Sequence, residues 1–206
     1  MMVISPAAQG IGSFARPGMS GLVPPAMAAA AAMLAALLVG AAQAAPAGHD
    51  DPQVLRIEDA AGQPTTTYGL ERLKRDFPQR ELDTRTPWTA AGESIRYRGP
   101  ELKDVLAGNG LGDVPSIEAS AYDDFVTTIR MDEIDTYKPI LALERACSAD
   151  DHKAGRCKDG EDFRPLTLDD SGPYSIIWPY DQLPSSYVPG RNSIWVWFVT
   201  ALRPAS

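Results

Sequence analysis

The chain has 206 residues, 44% of them hydrophobic, and a formal net charge of −8 at pH 7. An acidic chain without a basic run excludes nucleic acid as a partner, because phosphate contacts need Lys and Arg gathered on one face. Two histidines, His49 and His152, leave Ser-His-Asp or Cys-His chemistry without a base on a rigid element. The absence of G-x-x-x-x-G-K and of a strand-linked G-x-G-x-x-G removes the common phosphate cradles.

In chain order, Ala26 to Ala42 is an apolar run closed by Ala42-Gln43-Ala44, which predicts an export signal cleaved after residue 44. A membrane anchor is the alternative, but the run is short for a bilayer span and rich in Ala. Cleavage leaves 162 residues with a net charge of −9 once Arg16 is gone, long enough for one domain with a real core. Residues 45–53 then form a polar tether and residues 54–206 the domain, with the protein periplasmic or secreted.

Val54 to Glu58 alternates polar and apolar residues and predicts a strand, with Thr65 to Tyr68 as its hairpin partner. Leu70, Leu73 and Phe77 recur at helical spacing and Pro78 stops that helix. Arg80 to Thr86 reads as a strand with Leu82, Thr84 and Thr86 on one side. A turn at Pro87, a loop after Trp88, and a short helix that Pro100 begins and Gly108 ends come next. Leu102, Val105 and Leu106 give that helix one apolar stripe. Ile117 to Met131 reads as strand, turn at Tyr122-Asp123-Asp124, and strand. A helical turn runs from Asp132 to Pro139, and Ile140 to Leu143 is a short strand.

Cys147 to Asp162 is an acidic insert holding both cysteines. In an exported chain the pair favours a disulfide, and Cys147, His152 and Cys157 with an aspartate leave a metal site open. Ser175 to Trp178 predicts a strand ending at the Pro179-Tyr180-Asp181 turn. Ile194 to Val199, apolar on both faces, predicts a central strand covered from both sides.

The order Trp88, short loop, Tyr97, Gly99, Pro100, Leu102, Val105, Leu106 resembles the oxidoreductase molybdopterin-binding domain of the sulfite-oxidase type. IEASAYDDFVTTIRMDEI and LTLDDSGPYSIIWPYD agree with that family in order and spacing. The resemblance spans residues 54–204 and implies an α+β fold with a mixed, barrel-like sheet core and short helices.

In catalytic members of that family a cysteine thiolate just before the Trp binds molybdenum, and the matching position here is Thr84. A hydroxyl is a hard donor where that metal needs a soft thiolate. The resemblance therefore implies a molybdopterin pocket and argues against bound molybdenum. The residues it places at the pocket are Thr84, Arg85, Trp88, Tyr122, Asp123, Arg130, Tyr180 and Asp181, with Arg98 and Lys138 as further donors. Three functions follow as expectations. One is an exported binder of a pterin-type or other small ligand, or a redox accessory, without molybdenum turnover. The others are a molybdenum oxidoreductase with a non-Cys ligand, and a sensory or interaction module with a periplasmic or membrane partner.

Overall fold

A computed structural model describes residues 51–205, so the predicted signal segment lies outside the described residues. The alternating segment after the tether forms β1 (Leu55–Glu58), which pairs with antiparallel β2 (Pro64–Tyr68) as the hairpin expected. Its alternation has a direct cause, since Leu55 and Ile57 point into the core. Helix α1 (Leu70–Asp76) follows and turns Leu73 inward.

β3 (Arg80–Thr84) and β4 (Ile95–Gly99) form an antiparallel pair, and the Trp88 loop is the connection between them. Helix α2 (Leu102–Ala107) buries its predicted stripe of Leu102, Val105 and Leu106 completely. Its ends differ from expectation. Pro100 stays outside, accepting a backbone hydrogen bond from Leu141, and Gly108 remains right-handed at φ −63°. The left-handed residue is Gly110, φ +76°, two residues further on.

β5 (Ser116–Ala121) and β6 (Val126–Arg130) form the predicted hairpin, α3 (Met131–Tyr137) the predicted helical turn, and β7 (Ile140–Ala142) the short apolar strand. The acidic insert is more ordered than its composition suggests. It lies among β8 (Glu144–Ala146), α4 (Ala149–Lys153) and β9 (Phe163–Pro165), and a Cys147–Cys157 disulfide pins it. β10 (Ser175–Ile177) pairs with β7, and β11 (Val199–Pro204) closes the chain.

The fold is α+β with three sheets. One has the order β2-β1-β11-β5-β6, another β3-β4-β8-β9, and the third is the β10-β7 pair. The first is mixed, because β1 and β11 run parallel while its other neighbours are antiparallel. The barrel-like core expected from the resemblance is corrected here. Among the described residues no sheet closes on itself, since β2 and β6, and likewise β3 and β9, end their sheets as edges.

The run Ile194 to Val199 is a second correction. Only Val199 belongs to a strand. Residues 192–194 make a single 3-10 turn, and 195–198 cross irregularly between two sheets. The physical reason is a change of hydrogen-bond partner along the run. Val196 accepts from Ile176 of β10, Phe198 donates to Ser171, and Val199 donates to Tyr174 before β11 enters the mixed sheet. Apolar pattern alone cannot separate this path from a strand.

Gly99 sets the join between β4 and β7. A Cβ there would lie 2.0 Å from the Leu141 carbonyl oxygen, so the two backbones cross at a distance only glycine permits.

Candidate functional site

The site is built around the β3–β4 connection. Thr86, Pro87, Trp88 and Thr89 form a β-turn closed by Thr89 N–H donating to the Thr86 carbonyl at 3.1 Å, with Pro87 at the position its fixed φ favours. The buried Thr86 side chain fixes the turn from inside. Its Oγ1 accepts from Trp88 N–H at 3.2 Å, and Thr89 Oγ1 accepts from Thr86 N–H at 2.9 Å. Trp88 therefore stands at a braced turn with 55% of its surface exposed. Its ring meets Trp197 edge-on, centroids 4.6 Å apart.

This pair divides two cavities. On one side is a polar cleft of about 310 Å³ whose walls include Glu93, Tyr97, Arg145, Asp169 and Asp170. On the other is an aromatic cleft of about 400 Å³ walled by Phe125, Trp195 and Phe198 and rimmed by Asp123, Asn192 and Ser193. A third hollow of about 360 Å³ lies between Arg85, Asp181 and the Gly92–Ser94 loop.

The predicted site residues separate into three groups. Thr84, Arg85, Tyr180 and Asp181 come together: the Arg85 guanidinium sits 4.1 Å over the Tyr180 ring and donates to Asp181 at 3.0 Å. Thr84 is buried, and its hydroxyl donates to the Trp178 carbonyl at 3.1 Å and accepts from Tyr180 N–H at 2.9 Å. Trp88 and Asp123 share the aromatic cleft, with Tyr122 beside them in the β5–β6 turn, its N–H donating to Phe198. Arg130 stands apart. It pairs with Ser116 at the far end of that hairpin, roughly 13 Å of strand away, where it contacts Asp132 and Glu133. Arg98 pairs with Glu144 at 2.7 Å, and Lys138 ends α3 in a left-handed conformation.

Several wall residues carried no signal in the sequence. Glu93 lies in the loop read after Trp88, Asp169 lies in the LTLDDSGPYSIIWPYD segment without a role assigned to it, and Asn192, Trp195 and Trp197 fall in or beside the run read as a covered strand. The density of aromatics in Trp195-Val196-Trp197-Phe198, directly after a Pro-Gly loop, was the available clue.

Electrostatics make this a net acidic region. Both cations that line these cavities are already matched, Arg85 by Asp181 and Arg145 by Asp170. Asp170 also takes a two-pronged contact from Arg164, at 2.5 and 3.0 Å. Burial works to raise the Asp170 pKa, yet the hydrogen bonds from Arg164 and Thr167 overcome it and hold the carboxyl well below its usual range. Burial pushes the Tyr97 phenol up to about 12, only partly offset by Arg145. Neither group is poised to exchange a proton near neutral pH.

The donor set does not suit a molybdenum cofactor. Both thiols are consumed in the Cys147–Cys157 disulfide, and Thr84 Oγ1 is turned into backbone hydrogen bonds. Among the described residues no group of three His, Cys, Asp or Glu side chains is arranged to hold a metal. A pterin phosphate would meet Glu93, Asp169 and Asp181 without an unmatched Arg or Lys among the lining residues.

The described residues thus define an α+β domain with an aromatic and acidic cleft at one loop cluster, and none of their helices is long and apolar enough to cross a membrane. No protein-family model and no curated protein matches the sequence. Among solved structures, the sulfane dehydrogenase SoxCD of Paracoccus pantotrophus is similar at 18% identity and a TM-score of 0.46. That alignment covers 74% of this chain and 38% of the SoxCD chain, so this chain spans well under half of it.

Proposed function

We propose that this is an exported protein whose molybdopterin-oxidoreductase-like domain holds a small organic ligand in the cleft beside Trp88 and does not run molybdenum turnover. The observation that carries this reading is Thr84, which stands where the resemblance expects the metal's thiolate and spends its hydroxyl on Trp178 and Tyr180. The aromatic walls supply what a small ligand needs instead, a concave apolar surface with a few polar groups at its rim. The disulfide fits an oxidising compartment. Native mass spectrometry of the mature protein from its own host tests the reading. A non-covalent organic mass retained by the parent and lost in Trp88→Ala is expected, and a parent that carries none overturns it.

A second reading, docking of a periplasmic or membrane redox or sensor partner, is supported by exposed apolar surface at Trp88, Tyr122, Phe125 and Val126. A partner captured by the parent and lost in Phe125→Ser, with no ligand retained by either, would favour it.

A further inference from the structure

We propose that the aromatic cleft binds an organic ammonium ion, with Asp123 as its counter-charge. This rests on the ligand-binding reading above and names its ligand class. Two observations carry it.

The first is the wall. Trp88, Trp195, Trp197, Phe125 and Phe198 surround a cleft of about 400 Å³ with no Arg or Lys among its lining residues. Ring faces attract a cation through their quadrupoles, Trp most strongly, and a quaternary ammonium loses less hydration on entering such a cage than a compact ion does.

The second is the charge at the rim. Asp123 makes no ion pair among the described residues, and its carboxylate accepts only the 3.3 Å contact from Phe125 N–H two residues on. Most of its acceptor capacity is therefore unused. Elsewhere around the loop cluster Asp170 and Asp181 already have arginines.

A phosphate attached to the cation would bring negative charge into a cleft that has Asp123 at its rim and no Arg or Lys among its lining residues, so the cleft suits the free cation over a phospholipid headgroup.

The test is a titration of the full mature protein, followed by calorimetry and tryptophan fluorescence, with choline and two relatives: its uncharged carbon isostere 3,3-dimethylbutanol, and phosphocholine. Choline is expected to bind saturably and about tenfold or more tighter than each relative. Asp123→Asn, which keeps the turn chemistry, is expected to cut the advantage over the isostere several-fold, leaving the part the rings supply, with Tm unchanged. Equal binding of the isostere overturns the cation, with the ligand cleft itself surviving. Equal binding of phosphocholine overturns the free cation. If no probe binds and the host-derived protein still retains an organic mass, this inference alone fails. If neither occurs, both readings fail.

Discussion

Thr84 Oγ1 lies 3.1 Å from the carbonyl oxygen of Trp178, a hydrogen bond across 94 positions of sequence that ties the end of β3 to the end of β10. Tyr180 N–H donates to Thr84 Oγ1 at 2.9 Å. Trp178 in turn donates from its indole to the Ile194 carbonyl at 2.9 Å. One hydroxyl thus holds the loop cluster that forms the cleft.

Thr84→Val keeps the shape and removes the hydroxyl, leaving a buried carbonyl and a buried N–H without that partner. Denaturant unfolding should show a loss of roughly 2 kcal/mol. Ligand retention in the folded protein should persist, because the hydroxyl faces the backbone. A variant that keeps its stability and loses the ligand would show Thr84 to be a contact residue.

Asp170 and Asp151 converge on Arg164, and both carboxyls are held below their usual range by hydrogen bonds that outweigh the effect of burial. A carboxyl whose folded pKa is depressed binds protons more readily in the unfolded chain. Its stabilisation is therefore complete above the unfolded value near 4 and is lost as pH falls below it. Glu133 and Glu144 shift the same way, burial again being outweighed, by Arg191 for one and by Arg98 and Lys74 for the other. Thermal unfolding should show a Tm that is flat above about pH 5 and drops steeply below about pH 4. Asp170→Asn should cost roughly 3 kcal/mol at neutral pH and make the acid drop shallower.

The Cys147–Cys157 bridge closes a loop with a sequence separation of 10. In the chain-entropy view this stabilises the fold by about 2 to 3 kcal/mol. Reduction, or the double change Cys147→Ser with Cys157→Ser, should lower stability by that amount and leave cleft binding intact.

Gly99→Ala should be among the most damaging small substitutions, because the added methyl meets the Leu141 backbone, which has little room to move. A loss of roughly 3 kcal/mol in denaturant unfolding is expected, against well under 1 kcal/mol for Gly92→Asn, where open space surrounds a turn residue at φ +85°.

Much of the fold was legible because local pattern and tertiary outcome agree. Leu55 and Ile57 alternate and are buried, and Leu102, Val105 and Leu106 share a helix face and are buried. The two thiols pair, as their even count predicts. What could not be read depends on long-range partners. Glu144 is a buried charge only because Lys74 and Arg98 arrive from α1 and β4. Trp195 and Trp197 sit in a run that periodicity assigns to a strand, and hydrogen bonds to Ile176 and Ser171 route it across two sheets instead. The site was legible in part for the same reason. Arg85, Tyr180 and Asp181 meet because Thr84 anchors both segments, Trp88 and Asp123 meet across the aromatic cleft, and Arg130 is carried away by the length of β6.

The most direct measurement is molybdenum content per mole of the mature protein isolated from its own host, taken together with sulfite and sulfoxide turnover. The account predicts molybdenum far below one atom per chain and no turnover, in folded protein that still carries an organic ligand. One molybdenum per chain with turnover that Thr84→Ala abolishes would contradict it.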